Sequence, residues 1–227
     1  PVQSVIAADT GHINCHEAAS IESTGHKILG LPNTDGKLTS RQIAACAAEY
    51  YEGGAPEYLT EPKLVYISFP TEQGTLYSKG ELRAISEVCK KYGMYLFVDG
   101  ARMGYGLGAE DNDLTLKDFA ELTDVFYIGG TKCGALFGEA LIITEPRLQY
   151  RFKAYMKQHG AVYFGAIGGC GALLSKCIKK AEVIAYEDLG AEAIRKIEVE
   201  DFPVIVVVDS EGNNLYETAI KEFAVED

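Results

Sequence analysis

The sequence has no apolar run close to the roughly 20 residues that a membrane-spanning helix requires, which argues against an integral membrane protein. Positive charge is also scarce, because 21 Lys and Arg face 33 Asp and Glu and the formal net charge is -12. Such a chain repels phosphate backbones, so nucleic-acid binding is not expected. No signal-peptide pattern follows Pro1, and none of the six cysteines lies in a C-x-x-C motif. We therefore expect free thiols and a cytoplasmic location.

What the sequence does contain is a regular alternation of apolar runs and amphipathic stretches. The apolar runs predict strands at 5–8, 27–31, 64–69, 95–98, 125–128 and 140–143. The amphipathic stretches predict helices at 16–24, 40–51, 79–91 and 146–158, with Ser40 as the cap of the second and Gly93 as the stop of the third. Strands separated by helices indicate an α/β fold with a mostly parallel sheet.

The pattern changes character near His159. Beyond it we predict strands at 161–164, 183–186 and 203–209, and helices at 171–180 and 217–223. Short strands of this kind differ from the longer alternation that precedes them. We therefore expect two partial domains, 1–158 and 159–227.

Two segments of the first domain have residue types suited to chemistry. Asp99 ends one strand pattern, and Lys132 lies in a glycine-rich loop after the next, Ile128-Gly129-Gly130-Thr131-Lys132-Cys133-Gly134. In open α/β sheets, ligands bind beyond the carboxyl ends of the strands, where both residues would lie. Pyridoxal phosphate requires a lysine for its Schiff base, small neighbours, and a carboxylate facing the pyridine nitrogen. We therefore expect Lys132 and Asp99 to bind this cofactor.

Two further side chains suit the same site, and simpler explanations stand beside each assignment. We expect His12 to stack on the cofactor and Arg102 to bind a substrate carboxylate through a bidentate contact. Alternatively, Asp99 could cap the next segment, and Lys132 could be an ordinary surface lysine. His12 and His16 could share a metal, but no third ligand has suitable spacing, so no metal is expected. The order of these residues along alternating strands favours cofactor binding over these simpler explanations.

Four blocks within residues 1–157 resemble one known family. They are Ala8-Asp9-Thr10-Gly11-His12-Ile13-Asn14 with His16-Glu17, Tyr66-Ile67-Ser68 with Pro70-Thr71-Glu72, Asp99-Gly100-Ala101-Arg102, and Gly129-Gly130-Thr131-Lys132-Cys133-Gly134. The family is that of the threonine aldolases and aromatic amino acid β-eliminating lyases. This resemblance implies a partial type I, aminotransferase-like large domain that binds pyridoxal phosphate.

The resemblance also implies a role for each matching residue. Lys132 would form the internal aldimine, Asp99 would pair with the pyridine nitrogen, and His12 would stack on the ring. Arg102 would contact both the cofactor and the substrate. Thr131, which precedes Lys132 in the sequence, would also contact the cofactor. His16 would lie on the substrate side.

The same resemblance indicates which parts of the family's active site residues 1–157 leave out. The glycine-and-threonine turn that binds the phosphate precedes the first matching strand, and the small C-terminal domain follows the last. We expect cleavage activity to be weakened or lost without them. Because the family builds its active sites across subunits, the resemblance also implies a homo-oligomer.

Residues 159–227 carry a second set of blocks. They are Ala161-Val162-Tyr163-Phe164-Gly165-Ala166-Ile167-Gly168-Gly169, Tyr186-Glu187-Asp188-Leu189-Gly190-Ala191-Glu192-Ala193-Ile194, Glu198-Val199-Glu200-Asp201-Phe202-Pro203, and Asp209 with Gly212-Asn213-Asn214. These resemble the end of the β-subunit of class I fumarases and tartrate dehydratases, which implies a partial β/β/α swivelling domain. Gly168 and Gly169 would form an anion-binding turn, or equally a close packing of helix on strand.

Three functions follow from these patterns. The first is a pyridoxal-phosphate-dependent lyase of β-hydroxy amino acids, with a small-molecule amino acid substrate. The second is a fumarate or tartrate hydro-lyase domain that acts with an iron–sulfur α subunit, since the cluster ligands belong to another domain of that family. The third is a non-catalytic structural protein, arising as a natural fusion or an engineered chimera.

Overall fold

A computed structural model describes residues 2–134, 139–165, 171–188 and 193–223 of the chain. These residues form two compact units, the first made of 2–134 with 139–145 and the second of the described residues from 146 onward. The domain boundary predicted at 158 stays a prediction. It was placed where the family resemblance changes, whereas the two units are defined by contacts within the chain. No helix within the described ranges combines the length and the apolar character needed to cross a membrane.

The first unit is built on a six-stranded sheet. Its strands are β1 Gln3–Ala8, β2 Lys27–Leu31, β3 Glu61–Ser68, β4 Tyr95–Asp99, β5 Val125–Gly129 and β6 Glu139–Ile143, arranged in the order β2-β1-β3-β4-β5-β6. The first five strands pair in parallel, and β6 runs antiparallel to β5. The predicted mostly parallel α/β sheet is therefore confirmed.

Helices connect the strands of this sheet. They are α1 His12–Cys15, α2 Ser20–Ser23, α3 Ser40–Tyr51, α4 Lys79–Tyr92, α5 Met103–Leu107 and α6 Leu116–Leu122. Side chains alternate along a strand, so every second residue of β3 and β4 points to the same face. Val65, Ile67, Leu96 and Val98 lie on one face and are fully or almost fully buried in the main core. Helices α3, α4 and α6 supply buried partners to that core.

The two longest helices of this unit have well-defined ends. Helix α3 begins after Thr39, whose side chain accepts a hydrogen bond from Gln42 in a reciprocal capping box. The expectation that Ser40 caps α3 was therefore wrong by one residue, because the hydroxyl that accepts the hydrogen bond belongs to the residue before it. Helix α4 has an equivalent box from Ser78 and Glu81 and ends at Gly93 as predicted, with a left-handed φ of 63°.

The predicted helix at 16–24 was also wrong. Within this segment only the single turn of α2 is helical, because α1 ends at Cys15, and Ala18 and Ala19 between α1 and α2 have φ values of 48° and 58°. A positive φ in non-glycine residues interrupts a right-handed helix. This break separates α1 from α2, and His12 is the first residue of α1.

Opposite the helix-covered face, the sheet carries a row of half-buried aromatic rings. Tyr66 of β3 stacks on Phe97 of β4 with ring centroids 5.3 Å apart and planes inclined by 12°. Phe97 in turn lies 6.1 Å from Tyr127 of β5. The row places two tyrosine hydroxyls near the carboxyl end of β4.

The second unit mixes helices with two small sheets. Its elements are α7 Pro146–His159, β7 Tyr163–Gly165, α8 Gly171–Cys177, β8 Ile178–Ala185, β9 Ile194–Val199, β10 Ile205–Val208 and α9 Leu215–Phe223. Strands β7 and β10 pair antiparallel, as do β8 and β9. The helix predicted at 171–180 ends at Cys177, and the strand predicted at 183–186 begins earlier, at Ile178.

The second unit has a small core. Met156 of α7 packs with Val207 and Val208 of β10, and an ion pair joins Lys153 of α7 to Glu217 of α9. Many large apolar side chains remain exposed in this unit, among them Tyr150, Phe164, Ile184, Ile197, Tyr216 and Phe223. The cysteines within the described residues are free thiols.

Candidate functional site

The predicted site residues lie around one edge of the first unit's sheet. Parallel strands all end at the same edge, so the segments that follow β1, β4 and β5 meet there. His12 follows β1, Asp99 is the last residue of β4, and Lys132 lies in a 3-10 turn, Thr131–Cys133, just after β5. The fold thus brings together residues that are far apart in the sequence.

Asp99 is the best-anchored side chain of the group. It is only 7% exposed. Its Oδ1 accepts a hydrogen bond from the backbone N–H of Ala101 at 2.9 Å. Its Oδ2 accepts one from the hydroxyl of Tyr66. Tyr127 lies near enough on the other side for the same carboxyl group to raise its pKa. The contact with the backbone of Ala101 is a local one, of the kind expected for Asp after a strand, but it uses only one of the two carboxylate oxygens of Asp99.

Both tyrosines are held in the protonated state. Burial raises the pKa of Tyr66, and the neighbouring negative charge and hydrogen bond of Asp99 raise it further. Burial is also the largest cause of the raised pKa of Tyr127, followed by its hydrogen bond to Asp99 and the charge of that carboxylate. A phenol that resists ionisation remains a hydrogen-bond donor, so Tyr66 donates to Asp99 across the physiological range and Tyr127 keeps its proton beside the same carboxylate.

The charges of Lys132 and Asp99 both act on a second carboxyl group, that of Glu139. Glu139, the first residue of β6, pairs with Gly129 across the sheet. Burial raises the pKa of Glu139, and hydrogen bonds from the backbone of Gly130 and Thr131 oppose the shift. The charge of Asp99 raises the pKa of Glu139 and the charge of Lys132 lowers it. Lys132 and Asp99 therefore lie within electrostatic range of one carboxyl group.

His12 is fixed by two glutamates. Its ring Nδ1 lies 2.8 Å from Oε1 of Glu17, and its backbone N–H donates to Oε1 of Glu72 at 3.0 Å. The hydroxyl of Ser68, the last residue of β3, donates to that same oxygen of Glu72 at 2.7 Å. These contacts attach the turn after β1 to the turn after β3 and set the orientation of the imidazole ring.

Glu17 also connects His12 to the tyrosines. Its negative charge contributes to the raised pKa of both Tyr66 and Tyr127. The carboxylate that orients His12 is therefore close enough to act on the groups that hold Asp99. His12, Asp99 and Lys132 belong to one electrostatic neighbourhood.

The remaining predicted residues lie at the margin of this neighbourhood. Arg102 is exposed and precedes α5, and within the described residues its guanidinium forms no hydrogen bond or ion pair. His16 is exposed, with its ring centroid 5.4 Å from that of His12. Thr131 opens the turn that carries Lys132. Gly168 and Gly169 lie outside the described residues.

Two of the glycines near Lys132 and Asp99 are required by the packing of the backbone itself. A Cβ at Gly129 would lie 2.5 Å from the carbonyl oxygen of Ala101, and one at Gly100 would lie 1.9 Å from that of Tyr127. Both obstacles are backbone atoms of the protein. At 100 and 129, glycine is therefore needed for the close approach of the chain after β4 to β5, before any cofactor is considered.

The sequence blocks contain several residues of this network to which no role was assigned, and other residues of the network lie outside those blocks. Tyr66, Glu17 and Glu72 stood in the matching blocks, whereas Tyr127 and Glu139 went unnoticed. A usable signal existed in the two-residue alternation of the strands. The β4–β5 register pairs Phe97 with Val125, and continuing it sets Tyr127 beside Asp99. Only the strand pairing, which no local pattern provides, makes that signal readable.

The first unit has the architecture of a partial type I large domain, the fold of the aminotransferase class of pyridoxal-phosphate enzymes. A solved threonine aldolase from Leishmania major superposes on the chain with a TM-score of 0.63 and 50% identity, covering 70% of this chain and 45% of that one. Low specificity L-threonine aldolase from Pseudomonas sp. (strain NCIMB 10558) is 36% identical over 162 residues, which are 69% of this chain and 45% of the relative.

The C-terminal part matches a different family. The family model described as Fumarase C-terminus matches residues 137–219. Aerobic class I fumarate hydratase from Salmonella typhimurium is 50% identical over 81 residues, which are 35% of this chain and 14% of the relative. Both expected resemblances are thus confirmed. The chain spans less than half the length of the threonine aldolases it matches.

Proposed function

We propose that the chain is a pyridoxal-phosphate-dependent lyase that cleaves β-hydroxy amino acids between Cα and Cβ. The observation that carries the proposal is the grouping of Asp99, Lys132 and His12 at one edge of a type I sheet. The similarity to proteins named threonine aldolase supports the choice of reaction.

The residues at this edge fit the cofactor chemically. A carboxylate has about four acceptor positions. Asp99 uses two of them for the backbone N–H of Ala101 and the hydroxyl of Tyr66, which leaves room for the N–H of a protonated pyridine ring. Lys132 provides an amine whose charge acts on Glu139, as the charge of Asp99 does, and Arg102 provides an exposed guanidinium for an anion. When bound, pyridoxal phosphate supplies an electron sink for the carbanion that Cα–Cβ cleavage produces.

Each residue then has a defined task. If the cofactor binds here, Asp99 would keep the proton on its ring nitrogen, and Lys132 would be the residue that attaches it and that carries protons at the substrate. His12, oriented by Glu17, would stack on it, and Thr131 would contact it. Arg102 would bind the substrate carboxylate, ideally through two parallel hydrogen bonds.

The binding step is tested by titrating the purified chain with pyridoxal phosphate and recording its visible absorbance. The wild type should develop the band of lysine-linked cofactor, and Lys132→Ala should not. Lys117→Ala is a matched control, because that side chain is 83% exposed and belongs to α6. A band of equal strength in the Lys132 variant would sink the proposal.

The cleavage step is tested separately, by measuring acetaldehyde released from L-threonine. The wild type should release it only with cofactor present, and Asp99→Asn should lower the rate. A chain that binds cofactor without cleaving any β-hydroxy amino acid would instead be a non-catalytic relative of the lyases.

A second candidate function rests on the match of residues 137–219 to the fumarase C-terminus. In this reading the second unit serves a hydro-lyase together with an iron–sulfur α subunit. The test is co-purification with such a subunit, followed by a fumarate hydration assay on the mixture. A chain that retains no partner and adds no hydration activity would exclude this function.

A further inference from the structure

Asp99 lies between two tyrosines, Tyr66 and Tyr127, which come from the strands on either side of β4. Building on the proposed function, we propose that Tyr66 and Tyr127 are positioning residues that set the strength with which Asp99 acts on the cofactor's ring nitrogen. They act through Asp99 and have no assigned contact with the cofactor or the substrate themselves.

The geometry gives the two hydroxyls control over the carboxylate. Tyr66 donates a hydrogen bond to Asp99 from β3, and the register of β5 places Tyr127 on the other side, so tyrosines flank the carboxylate from both neighbouring strands. The rings are themselves fixed, because both pack against Phe97 between them. Phenols locked in this way leave the carboxylate little freedom to rotate, and its remaining acceptor position is directed by the others.

The chemistry explains why such a clamp would affect function. A charged carboxylate keeps the ring nitrogen protonated, and its hydrogen bond to that nitrogen depends on direction. Removing a hydroxyl that orients Asp99 lets the carboxylate rotate, so its remaining acceptor position is directed less well at the ring nitrogen. The cofactor should then bind less tightly through its nitrogen, while its phosphate and its lysine attachment are unaffected.

A purely structural role makes a different prediction. If the tyrosines merely satisfy a buried carboxylate, their loss should weaken binding of any cofactor that fits the site. If they act on the ring nitrogen, only a cofactor that has this nitrogen should be affected. Deazapyridoxal phosphate, in which CH replaces the ring nitrogen, separates the two cases.

The experiment measures dissociation constants of pyridoxal phosphate and of its deaza analogue for the whole chain and its variants. Tyr66→Phe should weaken pyridoxal phosphate about tenfold, the effect of one hydrogen bond to a charged group, and leave the analogue unchanged. Tyr127→Phe should act in the same direction and serves as the second variant if the first folds poorly. Circular dichroism confirms that each variant is folded.

Tyr51→Phe is the matched control. Its hydroxyl also contacts a carboxylate, Oε1 of Glu61 at 3.4 Å, but Glu61 lies at the opposite end of β3. That is roughly 20 Å from the Asp99 edge at the usual rise per strand residue. Its two dissociation constants should match those of the wild type.

The possible results separate the two proposals. Equal weakening of both cofactors by Tyr66→Phe, or weakening of neither, overturns the inference and leaves the proposed function in place. A wild-type chain that binds neither cofactor overturns the proposed function, and the inference with it.

Discussion

Replacing Gly129 with alanine should force apart the backbone segments that follow β4 and β5. The new Cβ would lie 2.5 Å from the carbonyl oxygen of Ala101 and 2.6 Å from its Cα. Normal contacts between such atoms are about 3.5 Å, so roughly 1 Å must be gained by moving backbone. Overpacking in a tight interior costs about 1–3 kcal/mol, and rigid obstacles place this variant near the upper limit.

Differential scanning calorimetry measures the effect. For a chain of this size, 1 kcal/mol corresponds to about 2–4 °C in Tm, so Gly129→Ala should lower the Tm by about 6–12 °C. Because the displaced segments carry Asp99 and Lys132, the same variant should also bind pyridoxal phosphate more weakly.

Gly54→Ala provides the control for this reasoning. A Cβ at Gly54 would meet nothing within 4 Å, and the residue has no positive φ. It should therefore leave the free energy of unfolding unchanged or raise it by up to about 1 kcal/mol, through the lower entropy of the unfolded chain. A Gly129 variant that melts with the wild type, or a Gly54 variant that is destabilised as strongly, would refute the argument.

Three further predictions concern the first unit. Thr39→Ala should cost about 1 kcal/mol in urea unfolding, whereas Ser40→Ala should be nearly neutral, because only Thr39 caps α3. Burial raises the pKa of the Cys89 thiol to about 12, so native-state alkylation followed by mass spectrometry should label exposed Cys15 and spare Cys89. Hydrogen bonds from Lys79 and Thr115 hold the pKa of Asp118 at about 2. Its stabilising contribution should be present above the ordinary pKa of about 3.9 and be lost as pH falls toward 2, and Asp118→Asn should flatten that part of the urea stability profile.

Much of the first unit could be predicted because its local signals agree with one another. The bounds of β2 and α3 match the sequence expectation. In each case a run of strand-forming or helix-forming residues is followed by residues that break regular structure. Strong capping residues and Gly93 likewise fixed α4. Local propensity and tertiary packing point to the same structure in these segments.

Other elements escaped prediction for identifiable reasons. Helix α5 contains two glycines and is only five residues long, and α6 is seven residues long, so neither offers a full amphipathic period. Ala18 and Ala19 favour a helix by composition yet adopt positive φ between α1 and α2. In the second unit, the start of β8 continues directly from α8, and no breaker separates the two.

The site shows the same division between local and long-range information. Asp99, Lys132 and His12 could be proposed because each follows a strand and carries a reactive side chain. Tyr66, Tyr127 and Glu139 could not, because their importance depends on which strands are neighbours and in which register. The roles of all these residues stay predictions until the cofactor is tested.

The most direct measurement is a crystal structure of the chain grown with pyridoxal phosphate. We expect electron density continuous with Lys132 Nζ, with the pyridine nitrogen within hydrogen-bonding distance of Asp99. Cofactor density detached from Lys132, or a ring whose nitrogen faces away from Asp99, would contradict the roles proposed for these two residues.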